Sequence, residues 1–281
     1  MNRRRGFTLI ELMISMVIAM VVLGAAYNML TNNQRFYRAQ GQIVEVQQNV
    51  RAVTQILPSE LHELDARGGD IISMNDTSME IRAMRGFAQV CEAPNVGAGQ
   101  IVLKTSAIFL PTGIDITRHN LFVFREGDST TAQDDKWLNA SITATNTQNC
   151  SDGTAGTRLT LSVSGGNTQL DSVPNGAPVR IWEQVHYTLW EDASRLWWLA
   201  TETMVSGSYS GLSAVAGPLR PSIGLWFKYY DATGAVTALR DSVRSMDVIA
   251  RGLSTVPIMI QGKPVGQYAD SSTVRVTLRN N

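Results

Sequence analysis

Arg5-Gly6-Phe7-Thr8-Leu9-Ile10-Glu11-Leu12-Met13 lies at the junction of two unlike segments. Upstream is a short leader, Met1 to Gly6, carrying three consecutive arginines, Arg3, Arg4 and Arg5. Downstream an apolar run continues from Phe7 to Leu30, and Glu11 is its only residue charged at neutral pH. As a helix, this run is about 36 Å long at about 1.5 Å per residue, enough to cross the roughly 30 Å hydrocarbon layer with some tilt. The arginines precede it and nothing comparably basic follows at once. The positive-inside rule therefore places Met1 in the cytoplasm and the bulk of the chain across the membrane. A cleaved secretory signal fits less well, because the run is too long and no small-x-small site closes it. Glu11 is the anomaly. A charged side chain in the bilayer costs roughly 2.5–3.5 kcal/mol on insertion scales, so its presence needs a reason.

Basic leader, Gly6, large apolar Phe7, Thr8, Leu9, and Glu11 before a long apolar helix form a pattern that combines charge, spacing and span. It resembles the processing site of type IV prepilins and of the pseudopilins of type II secretion. The resemblance implies cleavage by a prepilin peptidase between Gly6 and Phe7, followed by N-methylation of Phe7. It also implies that Glu11 meets the Phe7 ammonium of a neighbouring subunit during assembly. The alternative for Glu11 is snorkelling near the cytoplasmic face, and the two can hold at different stages.

Across the chain 24 Lys and Arg balance 24 Asp and Glu, and without the leader 21 basic side chains face 24 acidic ones. Nothing here marks a basic nucleic-acid binder. Charged residues make up 17% of the chain, below the usual quarter or so, which suits an exported β-rich domain with polar, uncharged surfaces. Cys91 and Cys150 are an even count in a domain placed outside the cytoplasm, which suggests one disulfide; two buried free thiols are the alternative. Neither cysteine has His or Cys at zinc spacing, and Asp134, Asp135 and Asp152 read as solvated loop carboxylates rather than calcium ligands. No metal or cofactor is expected. Gly207-Ser208-Tyr209-Ser210-Gly211 puts tyrosine where a hydrolase would carry its nucleophile, and no phosphate loop or HExxH is present, so no catalytic residue is nominated and the chain is read as a non-enzyme.

Beyond the apolar run, Ile43, Val46, Val50, Val53, Leu57, Leu61 and Leu64 recur at helical steps, with polar residues between them. One helix is expected from Phe7 to about Leu57, with Pro58 kinking or ending it. Short strands are expected at 71–73, 78–84, 100–103, 121–126, 141–144 and 158–164, within a loop-heavy middle block between Cys91 and Pro174. Further strands are expected at 177–190, 196–202, 223–230, 235–239, 243–250 and 273–278, with Asp231-Ala232-Thr233-Gly234 as a hairpin turn. The fold class is α+β: a long N-terminal helix, transmembrane in its first half and amphipathic in its second, packed on an antiparallel β-rich head. The chain divides into a leader at 1–6, a transmembrane half-helix at 7–30, an amphipathic half-helix at 31–66 and a periplasmic or extracellular head at 67–281. Whether the head holds one sub-sheet or two is left open. Five tryptophans, at 182, 190, 197, 198 and 226, are read as core filling in preference to a carbohydrate- or partner-binding face, although adjacent Trp197 and Trp198 point to opposite faces of a strand.

Val185-His186-Tyr187-Thr188-Leu189, Leu196-Trp197-Trp198, Leu225-Trp226-Phe227-Lys228-Tyr229-Tyr230-Asp231 with Gly234, and Val274-Arg275-Val276-Thr277-Leu278-Arg279-Asn280 are similar to the larger minor pilins of the PilW type. More loosely they are similar to the J-type pseudopilins. The PilW-type family often has a charged residue where this chain has Trp198, so no surface function is carried over. The resemblance implies a minor pilin at or near the pilus tip that primes assembly, because a bulky head is costly to repeat along a thin fibre. The alternatives are a pseudopilin of type II secretion and a tip adhesin or DNA-uptake component. The partners implied are prepilin peptidase, other minor and major pilins, the inner membrane and the assembly platform. The location implied is the inner membrane, then the pilus tip.

Overall fold

The computed structural model describes residues 8–127, 130, 133–259 and 265–279. A single α-helix, α1 (Leu9–Leu61), leads into twelve strands, so the expected α+β layout is what the chain adopts. The strands are β1 (Ile71–Met74), β2 (Ser78–Gln89), β3 (Gln100–Lys104), β4 (His119–Arg125), β5 (Lys136–Asn149) and β6 (Ala155–Val163). They continue as β7 (Pro178–Glu191), β8 (Trp197–Val205), β9 (Ser208–Leu219), β10 (Leu225–Tyr230), β11 (Ser245–Leu253) and β12 (Ala269–Thr277).

At 53 residues α1 is about 80 Å long. From Leu9 to Leu30 its large apolar side chains are all more than half exposed. From Ala39 onward one stripe is covered: Val46, Val50, Val53, Leu57 and Leu61 are buried. Pro58 lies inside the helix and does not end it. A proline removes one backbone donor and crowds the preceding turn. Here Leu57 and Leu61, both fully buried, hold the last turn on the sheet, and His62 N–H still donates to the Pro58 carbonyl at 3.0 Å. The helical segment expected to reach Ala66 is corrected: helix stops at Leu61, and the chain turns from His62 to Gly69. The helix end is fixed to the C-terminal strand, since Arg279 N–H donates to the His62 carbonyl at 2.9 Å and His62 Nδ1 meets the Thr277 carbonyl at 2.7 Å.

All described pairings are antiparallel and connect into one twelve-stranded sheet. Its spine is β7. Along one edge β7 pairs with β2 over nearly its whole length, from Ser78↔Thr188 to Gln89↔Pro178. Its other edge is shared: β4 pairs with residues 179–183 and β8 with residues 185–191. The β4 side continues through β5 and β6 to β3; the β8 side continues through β9 to β11, which also carries β10 and β12. Two cores follow from this division. One lies under α1 and contains Val185 and Tyr187 of β7; the other lies under β3–β6 and contains Val179 and Ile181. One sheet thus supports two hydrophobic cores, which resolves the question left open by the sequence.

Three strand expectations are corrected. Ala235–Leu239 forms no strand; it touches β10 through one bridge, Tyr230↔Val236, and the partner of β10 is β11. A whole strand, β9, went unread. The middle block is less loop-rich than expected, with β5 running 14 residues and β6 nine.

Where helix meets sheet, Gly252 of β11 is required. A Cβ there would stand 2.7 Å from Val46 Cγ1 and 2.9 Å from Val50 Cγ2, closer than carbon atoms tolerate. The missing side chain lets α1 sit directly on β11.

Candidate assembly site

The N-terminus of α1 is closed by a capping box. Thr8 adopts extended backbone and its Oγ1 accepts from the Glu11 N–H at 3.4 Å. Glu11 Oε2 accepts from the Thr8 N–H at 3.0 Å and from the Thr8 hydroxyl at 3.1 Å. A helix leaves four N–H groups without intrahelical partners, and a reciprocal Thr-x-x-Glu pair satisfies two of them. The carboxylate also sits at the positive end of the helix dipole. Its placement in an apolar run thus has a local physical reason that needs no second subunit.

Two further hydroxyls, of Ser15 within the span and of Thr31 just beyond it, are likewise satisfied within the helix. Ser15 Oγ donates to the Leu12 carbonyl at 2.9 Å, and Thr31 Oγ1 to the Tyr27 carbonyl at 3.1 Å. Such back-bonding removes the cost of a bare hydroxyl in hydrocarbon. The result is an apolar cylinder with a single acidic group at its tip. Among the described residues α1 is the one helix long and apolar enough to cross a membrane. Chemically, the cylinder can enter lipid or pack against similar helices, and the carboxylate can accept a hydrogen bond or pair with a cation.

Gly6 and Phe7, the expected processing residues, lie outside the described residues. Glu11 lies at the free end of α1. Cys91 and Cys150 lie in the head, joined by a disulfide with an Sγ–Sγ distance of 2.01 Å across 59 residues. That bond ties the exit of β2 to the turn between β5 and β6. Glu11 and the disulfide are therefore separated by most of the molecule.

The second cluster of titratable groups lies at the seam of the two cores. Between Met84 and Gly86 the β2–β7 register shifts, and Arg85 is the extra residue. The bulge turns it toward both the helix and the seam. Arg85 donates to Glu60 of α1 at 2.9 and 3.0 Å and to Glu183 of β7 at 3.1 Å. Buried His119 completes the group: its Nδ1 accepts the Asp115 N–H at 2.8 Å, so Nε2 carries the proton facing Glu183 Oε1 at 3.1 Å. Burial opposes ionisation of Glu183, but hydrogen bonds from His119 and Arg85 outweigh it and hold its pKa below the ordinary glutamate value. The cluster clamps α1 to the sheet.

Sequence reading missed Thr8 as a cap, although the Thr-x-x-Glu spacing was in plain view. It also missed Arg85 and Glu183, whose meeting depends on a bulge that no local pattern marks. Among the described residues no group of three or more His, Cys, Asp or Glu side chains is placed to hold a metal ion.

Residues 1–27 match the family model described as the prokaryotic N-terminal methylation motif. No curated protein and no solved structure matches the chain.

Proposed function

We propose that this type IV pilin-like chain is a minor pilin of the PilW type, cut by prepilin peptidase between Gly6 and Phe7 and methylated on Phe7. The methylation motif and the apolar N-terminal helix fit a pilin anchored in the inner membrane and associated with other pilins. In the proposed topology Met1 is cytoplasmic and the head periplasmic until extraction from the membrane. The subunit then enters the pilus at or near its tip and primes assembly with other minor pilins. The head is stapled by the Cys91–Cys150 disulfide in the oxidising compartment. The role is structural rather than catalytic.

The observation that carries this reading is continuity: the matched motif runs directly into a 53-residue helix whose first half is bare and whose second half carries a large head. Apolar surface of that extent needs lipid or neighbouring helices to cover it. Glu11 is proposed to exchange its cap on Thr8 for the Phe7 ammonium of an adjacent subunit. The experiment is deletion of the gene with complementation, scored by surface pili. Loss of pili, restored by wild type but not by a Gly6 variant that blocks cleavage, supports the reading. Normal pili with a coincident loss of protein secretion would favour the pseudopilin alternative.

A further inference from the structure

Alternation along β4, β5 and β7 places Phe122, Trp137 and Arg180 on the face away from the second core. A cavity of about 240 Å³ opens there, lined by Asp65, Asp70, Phe122, Lys136, Trp137 and Arg180. The segment from Asp65 to Asp70 forms one wall, and β4, β5 and β7 supply the rest. Phe122 is buried and stacks on Trp182 at 5.7 Å. Trp137 is 41% exposed, braced edge-on by Phe124 at 5.6 Å and with the Arg180 guanidinium 5.4 Å from its ring centre. Its orientation is therefore fixed while much of its surface stays open to solvent.

Asp70 is the unusual member. It is 2% exposed, and its Oδ2 accepts the Asp65 N–H at 2.9 Å. Arg180 and Arg82 act on it through space. A carboxylate has about four acceptor sites, so one hydrogen bond leaves most of its capacity unused. Burial drives its pKa up to about 6, which means that keeping it ionised opposes folding. A group held at such a cost beside a cavity is a candidate for binding.

The chemistry of the lining selects the ligand. Two carboxylates face two cations, so the cavity favours neither an anion nor a cation. A hydroxyl can donate to Asp65 or Asp70 and accept from Lys136 or Arg180. An exposed indole offers an apolar face with no demand for charge. The volume is below that of a drug-sized site, so it holds one ring rather than a chain. We infer that this cavity binds a neutral pyranose, the ring packed on Trp137 and its hydroxyls shared between the Asp65–Asp70 wall and Lys136–Arg180.

The inference does not depend on the assembly role, because binding is read on unassembled protein. The test uses the full chain in dodecylphosphocholine, a detergent without sugar, and saturation-transfer NMR. The probes are the methyl pyranosides of glucose, galactose and mannose and N-acetylglucosaminide. Transfer to ring protons of at least one glycoside is expected. Trp137→Ala should weaken it at least tenfold, and so should Asp70→Asn, while Trp226→Ala leaves it unchanged. Near-ultraviolet circular dichroism confirms that each variant is folded, and Lys136→Ala, at an exposed position, gives a further reading if Asp70→Asn is not. No transfer to any of the glycosides overturns the inference. So does transfer that survives Trp137→Ala, or binding of N-acetylarginine amide in place of the sugars.

Discussion

At Glu11 one carboxylate caps Thr8 and is proposed to pair with the Phe7 ammonium of a neighbouring subunit, and a substitution can separate the two roles. Glutamine keeps the capping geometry with Thr8 but removes the charge. Glu11→Gln should leave insertion and processing intact and sharply reduce pilus yield in shear preparations. Thr8→Val removes only the cap, at about 0.5–2 kcal/mol, and should reduce yield far less. Equal loss in both variants would mean that capping, not pairing, is what assembly requires. Asp70 gives a second prediction at this scale. Its folded pKa, about 6, lies above the ordinary value of 3.8. The folded state therefore binds the proton more tightly, so the favourable contribution is complete below 3.8 and lost as pH rises through 6. Asp70→Asn, which can still accept from Asp65 N–H, should raise the melting temperature relative to wild type at pH 8. The gain should shrink toward pH 4, by about 1–3 kcal/mol in stability across that interval. Glu11 was legible in the sequence because charge in an apolar run is conspicuous. Asp70 was not, because nothing in Gly68-Gly69-Asp70 says that the turn packs beside the face formed by β4, β5 and β7.

Among the elements, α1 was legible almost throughout, since a 3.6-residue stripe is a long-range signal carried by many residues. The helix runs past Pro58 because Leu57 and Leu61 on either side are fully buried on the sheet, and it stops at Leu61, short of Ala66, where the chain turns. The missed β9 has a different cause. Its first seven residues, Ser208 to Ala214, are almost all exposed, so no apolar alternation marks them, and pairing with β8 is what makes them strand. The false strand at 235–239 is the converse: Val236, Thr237 and Leu239 are β-prone residue types, but Val236 and Leu239 are 64% and 69% exposed and find no sheet face to cover them. The contact of α1 with β11 can be tested at Gly252. Gly252→Val drives two methyls toward Val46 and Val50 and should destabilise by about 1–3 kcal/mol in thermal melts. Val46→Ala should recover part of the loss. At the seam, Glu183→Ala removes the shared partner of Arg85 and His119 and should cost about 1.5–3 kcal/mol, as for hydrogen bonds to a charged group, because Arg85 keeps its pair with Glu60.

The whole molecule is an apolar rod bearing a two-core head, and the two halves were legible to different degrees. The rod is written in a motif and a run of side chains, and the 1–27 match rests on the same residues. The head's division into two cores is set by β7, whose single run from Pro178 to Glu191 gives no local sign that its far edge is shared by β4 and β8. The disulfide closes the second core's periphery. Replacing Cys91 and Cys150 by serine should lower stability by about 2–5 kcal/mol, read as a drop in melting temperature that matches the effect of reductant on wild type. The account as a whole rests on the junction from which the rod begins. Intact-mass and peptide mass spectrometry of the protein recovered from cells with an active prepilin peptidase tests it most directly. The expected product lacks Met1 to Gly6, starts at Phe7 and carries one added methyl group on that amino terminus. A chain that keeps its leader, or that is cut beyond Leu30, would contradict it.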